Sequence, residues 1–153
     1  VTTSTAEDFG IHIPPPKTII SDFELAIINS ATAQFGPIVR GCLFHLCQNI
    51  FRRIQSEGLQ RRYNDEEDRS IKKPSQMLAA LAFLPRDDVP EAFDTLGNEV
   101  PDDFSPVLQY FDVTYVHGIT ARGRRQAVAP RHRPSTWNQY DAALVRQART
   151  NNM

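Results

Sequence analysis

The apolar positions change their period several times along the chain. Thr18, Ile19 and Ile20 form a continuous β-branched run that stops at Ser21 and Asp22. Such a run reads as a short buried strand. Leu25, Ile28, Ala31 and Phe35 then recur at helical spacing. That spacing predicts a helix over 23–35, with Ser21 or Asp22 as its cap and Gly36–Pro37 as its stop. "IVRGCLF" is a second strand-like run. The β-α-β order predicts two parallel strands joined by a right-handed crossover. Before the first strand, Pro14 to Pro16 form a rigid spacer, since three prolines cannot sit in a helix interior.

A second helical stripe follows: Leu43, Leu46, Cys47, Ile50 and Ile54, flanked by Gln48, Arg52 and Arg53 and stopped by Gly58. Cys47 reads as core on this pattern. "RRYNDEEDRSIKK" reads as a solvated turn or helix end. "PSQMLAALAFLP" and "DDVPEAFDTLGNEVP" predict two more helices, the second with acids in its first turn. "SPVLQYFDVTYV" is also read as helix. The stretch from His117 to Ser135 is arginine-rich, broken by glycine and proline, and reads as a loop. "TWNQYDAALVRQART" predicts a closing helix with Trp137 at its start, and Trp137 reads as core. The expected architecture is a small α/β piece over 17–57, helices and a basic loop over 58–135, and a closing helix over 136–153. No internal repeat and no Gly/Ser linker divides the chain.

The 153 residues suit one domain, and 41% hydrophobic with 23% charged residues are globular values. No run of about 18 apolar residues exists, so no membrane span is expected. No signal peptide is visible in "VTTSTAEDFG". The two cysteines, Cys42 and Cys47, are too few for a disulfide framework and fit a reducing compartment. A start at Val1 and an end on "RTNNM" suggest a piece of a longer protein.

The net charge of −1 hides an uneven distribution. Between Pro85 and Asp112 stand eight acids and one base, Arg86. Between Ile119 and Met153 stand seven arginines and one acid, Asp141. The basic end points to a polyanionic partner, or else the two segments pair with each other.

Asp22 is the leading candidate for chemistry. A carboxylate at the C-terminal end of a parallel strand stands where open α/β sheets hold ligands, and it suits a hard cation such as Mg²⁺. The alternative is a simple helix cap. Cys42 and His45 are three apart, as in half of a zinc site, but no second pair with matching spacing follows. They stand near the end of the second strand, so His45 is placed to share a cleft with Asp22. The arginines Arg52, Arg53, Arg61 and Arg62, and five more from Arg122 to Arg133, suit phosphate contacts. Tyr115, Trp137 and Tyr140 flank the arginine loop, but aromatics so placed are more often core than base-stacking platforms. No nucleophile elbow, P-loop, dinucleotide fingerprint or HExxH motif is present.

Taken together, "SDFELA", "GCLFHLCQNIFRRIQSEGL", "ALAFLPRDDVPEAFDTL" and "WNQYDAALVRQARTNN" resemble the Mutator-like element transposases, in particular the animal type accompanied by FLYWCH zinc fingers. The resemblance runs from about Pro16 to the end. It implies a partial ribonuclease H-like fold with a large α-helical insertion, here from Pro74 to about Val116. It makes Asp22 the second acid of an Asp-Asp-Glu triad and a ligand of Mg²⁺ or Mn²⁺. It makes Cys42 and His45 a Cys-x-x-His motif beside the active site, associated with DNA contact. "RTNN", from Arg149 to Asn152, matches the run that leads into the glutamate. The first aspartate would lie before Val1, since Asp8 is too close to Asp22, and the glutamate would fall just after Met153.

On this reading the stretch alone is inactive and holds no metal tightly, because two ions about 3.5–4 Å apart need several carboxylates. Its parent would cleave and join DNA by metal-dependent phosphoryl transfer at transposon ends and target DNA. DNA contacts are expected from Cys42, His45, Arg52, Arg53, Arg124 and Arg125. A nuclear location is expected, a homo-oligomer is compatible with it, and a membrane is not expected. The alternative is a domesticated, non-catalytic DNA-binding or protein-interaction module derived from a transposase.

Overall fold

Ile19, Ile20 and Ser21 form a strand, β1 (Ile19–Ser21), and Val39 to Gly41 a second, β2 (Val39–Gly41). They pair in parallel, with Ile19 opposite Val39 and Ser21 opposite Gly41. A computed structural model supplies this geometry and describes residues 14, 16–36, 38–124 and 126–151. Asp8, His12, Arg125 and Asn152 therefore lie outside the described residues.

Helix α1 (Leu25–Phe35) connects the strands and ends at Gly36, whose φ of +81° is readily adopted only by glycine. It starts two residues later than the sequence pattern predicts. Asp22 accepts the Glu24 N–H instead of capping the helix, and no side chain caps α1 at Glu24. No residue of α1 is fully buried, and Ile27 is 46% exposed.

Helix α2 (Leu43–Ser56) begins directly at the end of β2. Leu46, Ile50 and Ile54 form its buried stripe. Cys47 corrects the sequence expectation: it lies on the flank of that stripe and is exposed. Short α3 (Gln60–Asn64) leads into the charged stretch, which Arg62 organises. Its guanidinium bonds Asp68 at 3.0 Å and Ser70 at 2.7 Å, and also Asp103. Hydrogen bonds from Ser70, and then from Arg62, hold the Asp68 carboxyl down at about 2.

Helices α4 (Lys72–Ala80), α5 (Val89–Gly97) and α6 (Ser105–Phe111) complete the helical body. A π-helical turn, Asp112–Val116, extends α6 and buries Tyr115. The core is one cluster in which α2 packs on α4 and α6 and α5 packs on α4, with Trp137, Tyr115, Phe104 and Phe111 as its largest fully buried members.

The segment after the π turn is a loop, as its composition suggests, with an antiparallel bridge between Ile119 and Val128. A side chain at Gly118 would run into the Val128 carbonyl, and its φ is +81°. The closing segment is not one helix but two, α7 (Pro134–Trp137) and α8 (Tyr140–Leu144). Asn138 breaks it: its backbone is extended, and its side-chain oxygen takes the Tyr140 N–H at 3.0 Å. The chain is thus mixed α/β, mostly helical, with a small two-stranded parallel sheet. No helix among the described residues is long and apolar enough to cross a membrane.

Candidate functional site

Three stretches far apart in sequence meet at the C-terminal rim of the sheet. The first is the end of β1. The Ser21 carbonyl accepts the Cys42 N–H at 2.7 Å, which locks the two strand ends together. Asp22 follows and is half-buried. Its Oδ1 accepts the Glu24 N–H at 3.3 Å and faces the Ser21 hydroxyl at 3.5 Å, both long contacts. Oδ2 has no hydrogen bond among the described residues.

The next residue fixes this turn. Phe23 packs edge-on against Tyr115, centroids 5.4 Å apart, and against His132 at 5.0 Å. Its ring also covers Gly41, where an added Cβ would lie 2.7 Å from the ring carbons. A side chain at position 41 would displace the Phe23 ring, which anchors the residue next to Asp22.

The second stretch is the start of α2. Cys42 is fully buried, and its thiol donates to the Thr150 hydroxyl at 3.3 Å. Burial pushes this thiol up, but hydrogen bonds from Thr150 and from the His45 and Asn151 backbones outweigh it and bring it to about 7. His45 lies one turn on, with a buried Nδ1 that has no hydrogen-bond partner among the described residues. No hydrogen bond or ion pair joins His45 to Asp22 among the described residues.

The third stretch is Arg149–Asn151. The Arg149 carbonyl accepts the Leu43 N–H at 2.9 Å, and its guanidinium stands 5.7 Å over the Phe83 ring. The tail thus lies across the first turn of α2. Its docking depends on "WNQY". Gln139, 1% exposed, donates from Nε2 to the Gly41 carbonyl at 2.8 Å, while its own N–H reaches the Ala82 carbonyl at 2.7 Å. Asn138 Nδ2 donates to the Leu84 carbonyl at 2.8 Å. One buried glutamine therefore ties β2 to the helical body. No hydrophobic pattern reveals it.

The predicted arginines do not gather at this rim. Arg52 is nine residues beyond Leu43, hence about 14 Å along α2. It is exposed, whereas Arg53 is held by Glu57 at 2.7 Å and lies 5.4 Å over Tyr110. Arg124 is exposed in the basic loop, and Arg125 lies outside the described residues. Arg149 stands at the rim, and the sequence reading valued it only as part of "RTNN". The acidic stretch does not neutralise the basic one. Among the described residues, no acid of 85–112 pairs with an arginine of 119–151, and the one bridge between the stretches is Arg86 with Asp141 at 3.7 Å.

The rim does not by itself fit a divalent ion. Asp22 contacts the Ser21 hydroxyl and the Glu24 N–H. Among the described residues, no group of three or more His, Cys, Asp or Glu could hold a metal. No family model matches the chain, and no curated protein or solved structure is significantly similar to it.

Proposed function

We propose that the chain is part of a Mutator-like transposase core, a partial ribonuclease H-like fold in which Asp22 is one of three acids of a DNA-cleaving site. The observation that carries this reading is the convergence at the sheet rim. Asp22 ends β1, Cys42 and His45 open α2, and Arg149–Asn151 lies across that opening. In the resembling family the run beginning at Arg149 leads into the third acid. Its contact with Cys42, at the start of α2, supports a third acid on the same side of the sheet as Asp22. The free edge of β1 among the described residues agrees with a further strand there carrying the first acid.

In this scheme the chain's own groups orient and steer. Phe23 and Gly41 fix the Asp22 turn, and the Asp22 carboxylate would be the ligand this stretch offers a cation, with further carboxylates supplied from outside it. Mg²⁺ or Mn²⁺ there would supply charge stabilisation and an activated water. Arg52, Arg122 and Arg124, which form no ion pairs among the described residues, would neutralise DNA phosphates. A nuclear location and self-assembly on DNA ends belong to the same proposal.

A second reading is a non-catalytic DNA-binding module, favoured by the single rim carboxylate and the unpaired arginines. One experiment separates the two. A longer polypeptide spanning this chain should nick duplex DNA with Mg²⁺, and Asp22→Asn should abolish nicking without weakening binding. Undiminished nicking by the variant sinks the catalytic assignment. DNA binding that falls steeply with salt but never yields nicking selects the module.

A further inference from the structure

Between α4 and α5 runs a groove that the rim chemistry does not use. It comprises a cavity of about 600 Å³ and an adjoining hollow of about 360 Å³, which share Met77, Leu96 and Glu99. Its floor is apolar: Met77 is 37% exposed, with Leu96 beneath and Ala92 and Val100 beside it.

Its charges are ordered. Arg69 and Lys73 stand at one end, beside the start of α4. Asp88 and Glu91 line the second hollow, at the opposite end, and Glu99 lines both hollows. All five are exposed, and none forms an ion pair among the described residues. Opposite charges thus face one groove without neutralising each other, over a floor that leaves a large thioether in water.

We infer that this groove docks an amphipathic helix of a partner protein, with the partner's acidic C-terminal end at Arg69 and Lys73 and its basic N-terminal end at Asp88 and Glu91. The argument is charge complementarity. A helix carries partial negative charge at its C-terminus and partial positive charge at its N-terminus. Laid in this direction, both dipole ends meet opposite charge; reversed, both meet like charge. The apolar floor supplies the contact that helix-in-groove recognition uses, through residues at i, i+3, i+4 and i+7. The inference is independent of the transposase reading, since it uses none of the rim residues.

The test uses the whole chain and two fluorescent peptides of about five helical turns. Both carry leucines at that spacing. One has lysines in its first turns and glutamates in its last; the other has the charges exchanged. The first should bind about tenfold more tightly at low salt. Arg69→Glu with Lys73→Glu should erase or invert the preference, and Met77→Asp should weaken both peptides. The charge variants are at exposed positions, and circular dichroism checks that they fold. Equal affinity for the two peptides, binding of neither, or a preference untouched by the charge reversal overturns the proposal. Occupancy by decanoate with no peptide binding would also overturn it, making the cavity a small anion's site.

Discussion

Trp137→Ala should destabilise the protein by about 3–5 kcal/mol. Total stabilities of single domains are only about 5–15 kcal/mol, so this variant sits at the margin of folding. The indole is fully buried and stands edge-on to Phe111 at 5.7 Å and to Tyr115 at 6.3 Å. Its Nε1–H donates to the Tyr115 carbonyl at 2.9 Å, a group at the irregular end of α6. Truncation removes the packing, leaves that carbonyl without its donor, and loosens α7 from β2. A melting temperature lower by about 10 °C or more is expected. Trp137→Phe keeps most of the volume and loses the N–H, so it should cost about 1–2 kcal/mol. A Trp137→Ala protein melting within a degree or two of the parent would contradict this packing.

Acidification should cost stability at a defined place. His132 is 4% exposed, stacked on Tyr115 with centroids 5.7 Å apart and edge-on to Phe23. Burial, and then the nearby Arg131 charge, lower it from 6.5 to about 4. The folded form therefore resists protonation that the unfolded chain accepts. Between about pH 6.5 and 4 the unfolded state holds more protons, and stability falls as pH falls. The full difference is on the order of 3 kcal/mol. It is present above pH 6.5 and lost by about pH 4. The Asp68 carboxyl, lowered from 3.8 to about 2, adds its own loss only below that window. Urea midpoints at pH 7, 5.5 and 4 should decline accordingly, and His132→Phe should flatten the decline above pH 4. A wild-type midpoint constant over that range would show that the ring is not held neutral.

What the sequence revealed and what it hid follow from the range of the interactions. The two strands and the α2 stripe of Leu46, Ile50 and Ile54 are periodic features, and period is a local property. Apolar spacing places the start of α1 two residues early because Asp22 prefers the Glu24 N–H to a true cap, a competition that spacing does not show. The same competition at Asn138 divides the closing helix. Cys47 failed because a flank position three or four residues from core residues looks identical to a core position. The candidate site was half legible. Asp22, Cys42 and His45 could be placed at strand ends from topology alone. Thr150 against Cys42, separated by 108 residues, and Gln139 against Gly41, separated by 98, have no local signature. Charge counts leave open whether the basic end meets a polyanion or the acidic stretch; among the described residues the acids of 85–112 pair with Arg62 and His117 or form no ion pair.

The most direct measurement of the central claim is metal-directed cleavage of the polypeptide itself. Fe²⁺ would replace Mg²⁺ in a longer protein spanning this chain, with ascorbate and peroxide generating radicals where the ion sits. Backbone cuts should cluster at residues 20–23, 41–43 and 149–151, vanish with excess Mg²⁺, and be lost in Asp22→Asn. Cuts confined to the acidic 87–103 stretch, or an unchanged pattern in Asp22→Asn, would place the cation elsewhere and contradict a metal-binding role for this strand-end carboxylate.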